Sequence, residues 1–340
     1  MNLPTTPYVL AEVPSNYLAP IEAAARGGAE ILDYFEEAIA NGPSNIFLVG
    51  CGGSLFTFDA LFNILDRSPM PVFRFNADEL LLRMPSQFGA KSLVIISSSN
   101  GKTAETARAA KAAGELGATV VGVTQDPASI VAVECSKVFL HQGVEAKQIV
   151  LAQIGWSILR ALGVAPEFDS VMHALEASPR VFLDSIHEVD DELAEIALAF
   201  FEDSMVYVLG SGPLFGAAQT LAMCYLQEMQ WKDAAAVGSG EFLHGPFEVV
   251  TEEVPVLLLL GEDPTRAMGE RVGAFLNSHT KKFRVIDGAK LELNGIEPEM
   301  RSLVSTLVVG SALLNRLAEH FQSRSGHPLK ERRYMWKIDY

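Results

Sequence analysis

Residues 228–248 read EMQWKDAAAVGSGEFLHGPFE and gather two carboxylates and an imidazole, Glu228, Glu241 and His244, around Gly238-Ser239-Gly240. Those are the groups proton transfer needs: one takes a proton near neutral pH, another returns it, and a glycine-rich break can place them. A second reading stands beside this one, a turn with a hydrogen-bonded histidine and two solvated acids. A second cluster lies earlier, Ser97-Ser98-Ser99-Asn100-Gly101-Lys102-Thr103. Four hydroxyls, an amide and a lysine surround one glycine just where an apolar run gives way to an alanine-rich helical pattern. Such a turn suits a phosphate, with helix dipole and side-chain donors acting together. A helix cap would need only one of the hydroxyls.

The elements that must position these groups follow from the hydrophobic pattern. After a proline-rich lead-in (Pro4, Pro7, Pro14, Pro20), apolar positions recur at helical spacing over 21–40, and Asn41-Gly42-Pro43 stops the helix. The run from Ile46 ends in Gly50-Cys51-Gly52-Gly53-Ser54 and leads into another helical pattern, a strand–turn–helix unit. It has neither GxGxxG spacing nor a Gly-Lys-Ser/Thr ending, so it is neither a dinucleotide fingerprint nor a Walker A loop. Further strands are predicted at Val72–Phe75, Ser92–Ser97, Thr119–Val123 and Lys137–His141, with a helix over 148–162. Residues 166–190 read as connector helices broken at Pro179, followed by a helix near 188–202.

The chain then repeats its plan. Val206–Phe215 resembles Phe47–Phe56, the strand Val254–Leu260 with GEDPT answers 92–97 with its serine turn, and Phe283–Asp287 answers 119–123. The offsets are 159, 162 and 164 residues, near enough to constant to imply two α/β domains with parallel sheets flanked by helices. Only the first copy carries the serine turn; GEDPT would repel phosphate. A helix over 216–230 carries Glu228 near its C-terminal end. The last 14 residues hold Lys330, Arg332, Arg333 and Lys337 with Tyr334, Trp336 and Tyr340. They read either as a tail docked over a site, its cations meeting an anion, or as a tail anchored for stability alone.

Composition narrows the class. A net charge of −16 disfavours nucleic acid and anionic membranes as partners, while a local nest of N–H groups can still bind an anionic small molecule. The three cysteines, Cys51, Cys135 and Cys224, have no CxxC spacing and fit reduced thiols in a cytoplasmic protein. No secretion signal or membrane span is read. Glu241 and His244 stand at i, i+3 without a second ligand pair, so no metal is expected, and no motif calls for an organic cofactor.

The glycine turns, the SSSNGKT and GSGEFLHGP loops, EMQW at 228–231 and RRYMWK at 332–337 resemble tandem sugar isomerase (SIS) domains, over roughly 30–340 of the chain. Fructosamine 6-phosphate deglycases, including 6-phosphofructose-aspartate enzymes, are the similar group. The resemblance implies a first SIS domain over 31–180 after a lead-in of 1–30, a second over 181–326, and a docking tail over 327–340. It places Gly53, Ser54, Ser98, Ser99, Asn100 and Thr103 around the sugar phosphate, with Glu241 also at the substrate. Glu228 falls at the base for a C1–C2 proton shift, His244 at ring opening and acid/base work, and Lys337 at the sugar ring. It also implies a homodimer whose protomers share active sites. The expected reaction is hydrolytic release of an amino acid from a fructosamine 6-phosphate. Alternatives are an aldose–ketose isomerase, an aminosugar-phosphate deaminase, or a non-catalytic sugar-phosphate sensor.

Overall fold

The computed structural model describes residues 9–338; Pro4 and Pro7 of the lead-in and Tyr340 of the tail lie outside the described residues. Two compact units are present. One comprises Asn16–Arg180 with Gly295–Met300; the other comprises residues 9–15, Val181–Asn294 and residues 301–338.

The N-terminal unit is built on five parallel strands, β1 (Asn45–Gly50), β2 (Val72–Asn76), β3 (Ser92–Ser97), β4 (Thr119–Thr124) and β5 (Lys137–Leu140), in the order β2-β1-β3-β4-β5. Every residue of β1 and β3 is buried, which is why both read as unbroken apolar runs: a parallel strand is covered on both faces. On one face Phe47, Val49, Val94 and Ile96 pack with Leu80, Ala109, Ala110 and Ala113. The helix anticipated over 21–40 is two helices, Leu18–Ala25 and Gly28–Ala40. The break falls at Gly27-Gly28, where the entropy of glycine weakens helix propagation.

The C-terminal unit has four parallel strands, β6 (Met205–Gly210), β7 (Asp233–Gly238), β8 (Val256–Leu260) and β9 (Phe283–Asp287), ordered β7-β6-β8-β9. Leu209, Leu258, Leu260, Val272, Leu276 and Phe242 form its core. The order matches β2-β1-β3-β4 position by position, so the repeat read from the sequence is a repeat of topology. Strand β7 was not anticipated. Its Ala234-Ala235-Ala236 centre has weak strand preference, and the stretch around it reads as a loop. The repeat itself holds the missing signal, since Asp233 lies 161 residues after Val72, the start of β2.

Pro179 does not break the chain into separate connectors. It sits inside one 33-residue helix, Phe168–Phe200. Proline cannot donate to the carbonyl four residues back, here that of Leu175, and the Ser178 hydroxyl donates to that same oxygen at 2.8 Å. The helix survives because the orphaned acceptor is satisfied.

Farther along that helix, Asp190 anchors a polar cluster of the C-terminal unit. Its Oδ1 accepts from Arg316 Nε at 2.7 Å and its Oδ2 from Arg316 Nη2 at 2.8 Å, while His320 Nε2 lies 2.7 Å from Oδ1. Arg316 is buried and also donates to the Ala11 carbonyl at 2.7 Å. The Arg316 guanidinium pulls the Asp190 carboxyl down to about 2. This lies below the unfolded value near ~3.9, so the stabilisation is complete above that value and is lost as pH falls through it toward 2. Replacing Asp190 leaves the buried Arg316 with only the Glu319 carboxylate, 2.8 Å from its Nη1, and the loss of the charge-assisted bonds costs about 2 kcal/mol. Urea midpoints of wild type and Asp190→Asn should therefore differ widely at pH 7 and converge below about pH 4; a gap independent of pH would contradict this assignment.

Candidate functional site

Parallel pairing sets the Gly50 position of β1 beside Ser97 of β3, so the turns leaving these two strands are neighbours. Gly52 turns the first with φ +51°, and the short helix Gly53–Phe56 begins there. Ser54 in its first turn accepts a hydrogen bond from the Ser99 N–H at 3.3 Å. In the second turn the Ser98 and Thr103 hydroxyls lie 3.1 Å apart, and Thr103 opens the helix Ala104–Glu115. The Ser99 carbonyl accepts from Gln125 N at 2.8 Å and Thr124 Oγ1 at 3.2 Å, fixing the turn to the end of β4. Gly101 cannot be replaced without cost: its φ is +64°, and an added Cβ would lie 2.0 Å from Ser129 Oγ. Five of the six phosphate candidates of this unit, Gly53, Ser54, Ser98, Ser99 and Thr103, are thus drawn together; Asn100 shares the turn but is exposed, and so is Lys102.

Two further residues here were not singled out from the sequence. Lys147, in the first turn of the helix Val144–Ala161, is buried at 1% exposure and donates to Ser54 Oγ at 3.3 Å. His141 Nδ1 lies 2.9 Å from the Gly143 carbonyl. Burial, aided by the Lys147 charge, pushes His141 down to about 4. The sequence signal was faint: a lysine in the first turn of a mostly apolar helix, seven residues beyond a strand.

The matching turn of the C-terminal unit is closed by its own side chains. Asp263 Oδ1 accepts from Thr265 N at 2.9 Å, and Thr265 Oγ1 donates to Ser211 Oγ at 3.2 Å. A Cβ at Gly212 would meet both Thr265 and Asp263 within 3 Å. Where the first turn presents hydroxyls, this one is filled.

The helix anticipated over 216–230 is an α-helix, Phe215–Gln219, followed by a wider π-helical segment, Thr220–Met229, a geometry frequent at functional positions. Glu228 lies in its last turn, partly exposed. Its Oε1 is 2.8 Å from Nη2 of Arg332, which is itself buried. Trp231 follows with φ +52°, an uncommon conformation for a bulky side chain, and its ring packs tilted against His327, with centroids 4.2 Å apart. Gln230 donates to the His327 carbonyl at 2.8 Å and accepts from Ser325 Oγ at 2.6 Å. The Arg333 guanidinium lies 4.4 Å over the Trp231 ring. The tail therefore packs directly on residues 228–231. Lys337 is exposed and pairs with Glu331 at 3.1 Å, so the cation set against Glu228 is Arg332. Glu241 and His244 share the turn after β7, where His244 N donates to the Glu241 carbonyl at 2.9 Å, and both side chains are exposed.

Among the described residues no group of three or more His, Cys, Asp or Glu side chains is arranged to hold a metal ion. No helix among them is long and apolar enough to cross a membrane.

Comparison with known proteins places this architecture. Residues 39–158 match the SIS domain family. Over 327 residues, 94% of this chain and 99% of the relative, the sequence is 32% identical to the fructosamine deglycase FrlB of Bacillus subtilis (strain 168). It is 27% identical over 270 residues to the fructoselysine 6-phosphate deglycase of Escherichia coli O157:H7, covering 77% of this chain and 78% of the relative. A crystal structure of a Bacillus subtilis protein superposes with a TM-score of 0.85 at 31% identity, covering 96% of this chain and all of the other. The chain belongs to the SIS domain family, and its two parallel sheets are two tandem SIS folds.

The Glu228–Arg332 pair makes a simple expectation. A charge-assisted hydrogen bond of this kind contributes about 1.5 kcal/mol or more, roughly a tenfold change in a local opening equilibrium. Arg332→Ala should therefore speed tryptic cleavage at Arg333 and Lys337 about tenfold at low protease. Cleavage at the wild-type rate would show that Arg332 does not anchor the tail.

Proposed function

We propose that this protein is a sugar-phosphate deglycase that hydrolyses a fructosamine 6-phosphate to glucose 6-phosphate and a free amino acid. The observation that carries the reading is the likeness to fructosamine deglycase FrlB along nearly all of both chains, together with the presence of Glu228 and His244 in this chain. The serine turn supplies donors suited to a phosphate, and it does so in one unit only, as a substrate with one phosphate requires.

In this reading Ser54, Ser98, Ser99 and Thr103 hold the phosphate, with Gly53 and Asn100 beside them. His244 transfers the proton that opens the sugar ring and exposes the C2 carbonyl. Glu228 removes a proton from C1, the electrons move to give an enaminol, and reprotonation at C2 leaves a C1–nitrogen double bond. Water adds to C1 and the amine departs, so one water is consumed and no electrons are gained or lost overall. Glu241 and Lys337 are assigned to the substrate's polar groups. The protein is a cytoplasmic homodimer in this reading, and its tail orders Glu228 through Arg332.

The test is a coupled assay for glucose 6-phosphate released from 6-phosphofructosyl-glycine, -aspartate and -lysine. Glu228→Gln removes the base and should lower kcat by about 10³-fold with KM little changed. His244→Asn should lower kcat by about 10²-fold. Wild-type turnover of none of the three, with interconversion of fructose 6-phosphate and glucose 6-phosphate instead, would replace this reading with an isomerase.

A further inference from the structure

The Ser54 hydroxyl is held in an unusual state. It accepts from the Ser99 N–H at 3.3 Å and from Lys147 Nζ at 3.3 Å. A hydroxyl has two acceptor sites and one proton. With both acceptor sites engaged, the proton is left to be given away, and Ser54 becomes a committed donor at the turn.

Lys147 itself sits where a lysine is costly. It is almost completely buried, and desolvating an ammonium is expensive. It also lies in the first turn of an 18-residue helix, the end at which a positive charge is disfavoured. Glu145, also buried, shares that first turn and offsets part of both costs, and an anion bound nearby lowers them further. The neighbouring His141 is buried and held neutral at physiological pH, so it adds no second positive charge. Lys102, the lysine of the serine turn, points its charge to solvent.

We propose that Lys147 is the buried cation of the sugar-phosphate subsite, acting as a positioning residue through Ser54. It fixes the direction of the Ser54 O–H and strengthens it as a donor, while remaining behind the serine turn. The inference rests on the reading of that turn as the phosphate holder, and it adds a residue from a different element.

The test measures binding rather than turnover, so it stands apart from the deglycase assay. Glucose 6-phosphate and inorganic phosphate are titrated calorimetrically into the full chain as wild type, Lys147→Met, Ser54→Ala and the double variant. Lys111→Met, an exposed change of equal charge, is the control. Lys147→Met should weaken glucose 6-phosphate about 30-fold and the control less than threefold. Because Lys147 acts through Ser54, the double variant should bind scarcely more weakly than Ser54→Ala alone. Wild-type-like binding by Lys147→Met, or losses that simply multiply in the double variant, would overturn the proposal. A reading on wild type guards against misfolding of the variant: the Lys147 side-chain NMR resonance, assigned by difference with Lys147→Arg, should shift when phosphate is added. An unmoved resonance under saturating phosphate would also overturn it. If wild type binds neither ligand, this inference fails together with the phosphate reading of the turn. If phosphate binds as expected while no fructosamine is cleaved, only the deglycase reading fails.

Discussion

The parallel register that pairs Gly50 with Ser97 is the constraint on which the candidate phosphate cradle depends. Two adjacent parallel strands end together, so both turns must open on the same edge of the sheet. Gly50 permits the approach: a Cβ there would lie 3.1 Å from the Ser97 carbonyl and 3.2 Å from Leu55 N. From that pairing follow the Ser54–Ser99 bond and, through Ser54, the contact with Lys147, while the neighbouring β3–β4 pairing brings Thr124 and Gln125 to the Ser99 carbonyl. A one-residue slip would turn β1's side chains to opposite faces of the sheet and separate these groups.

The two units show how one topology is put to different uses. Each has a glycine turn after its central strand and a second turn after the neighbouring strand. In the N-terminal unit the second turn is rich in hydroxyls. In the C-terminal unit Asp263 and Thr265 fold back on Gly212 and Ser211, and the space is taken. The C-terminal unit instead departs from its counterpart at the π-helical segment carrying Glu228 and in the tail that meets it. Wide-turned helix, left-handed Trp231 and a buried arginine occur within one short region, and such departures from regular geometry concentrate where function constrains the chain.

Much of this was legible in the residues. Continuous apolar runs marked β1, β3 and β8, because strands covered on both faces need nothing else, and the near-constant offset between copies revealed the doubling. What escaped notice had local patterns that pointed elsewhere. Three alanines concealed β7, although the offset that related the other strands also reached it. Pro179 argued for a break that the Ser178 hydroxyl repairs, a contact no propensity records. Lys147 was missed because a buried lysine and a surface lysine look alike in a helical pattern. The cations of the tail suit either an external anion or an anchoring role, and the anion beside Arg332 is Glu228. Pairings across many residues of sequence are decided by folding, and single-residue patterns do not carry them.

The most direct measurement of the central claim is a crystal structure of the chain soaked with glucose 6-phosphate. Phosphate density should lie against Ser54, Ser98, Ser99 and Thr103, within hydrogen-bond distance of the Ser54 hydroxyl. Density bound instead at the Ser211–Thr265 turn, or a serine turn left empty while the sugar phosphate occupies another place, would contradict it.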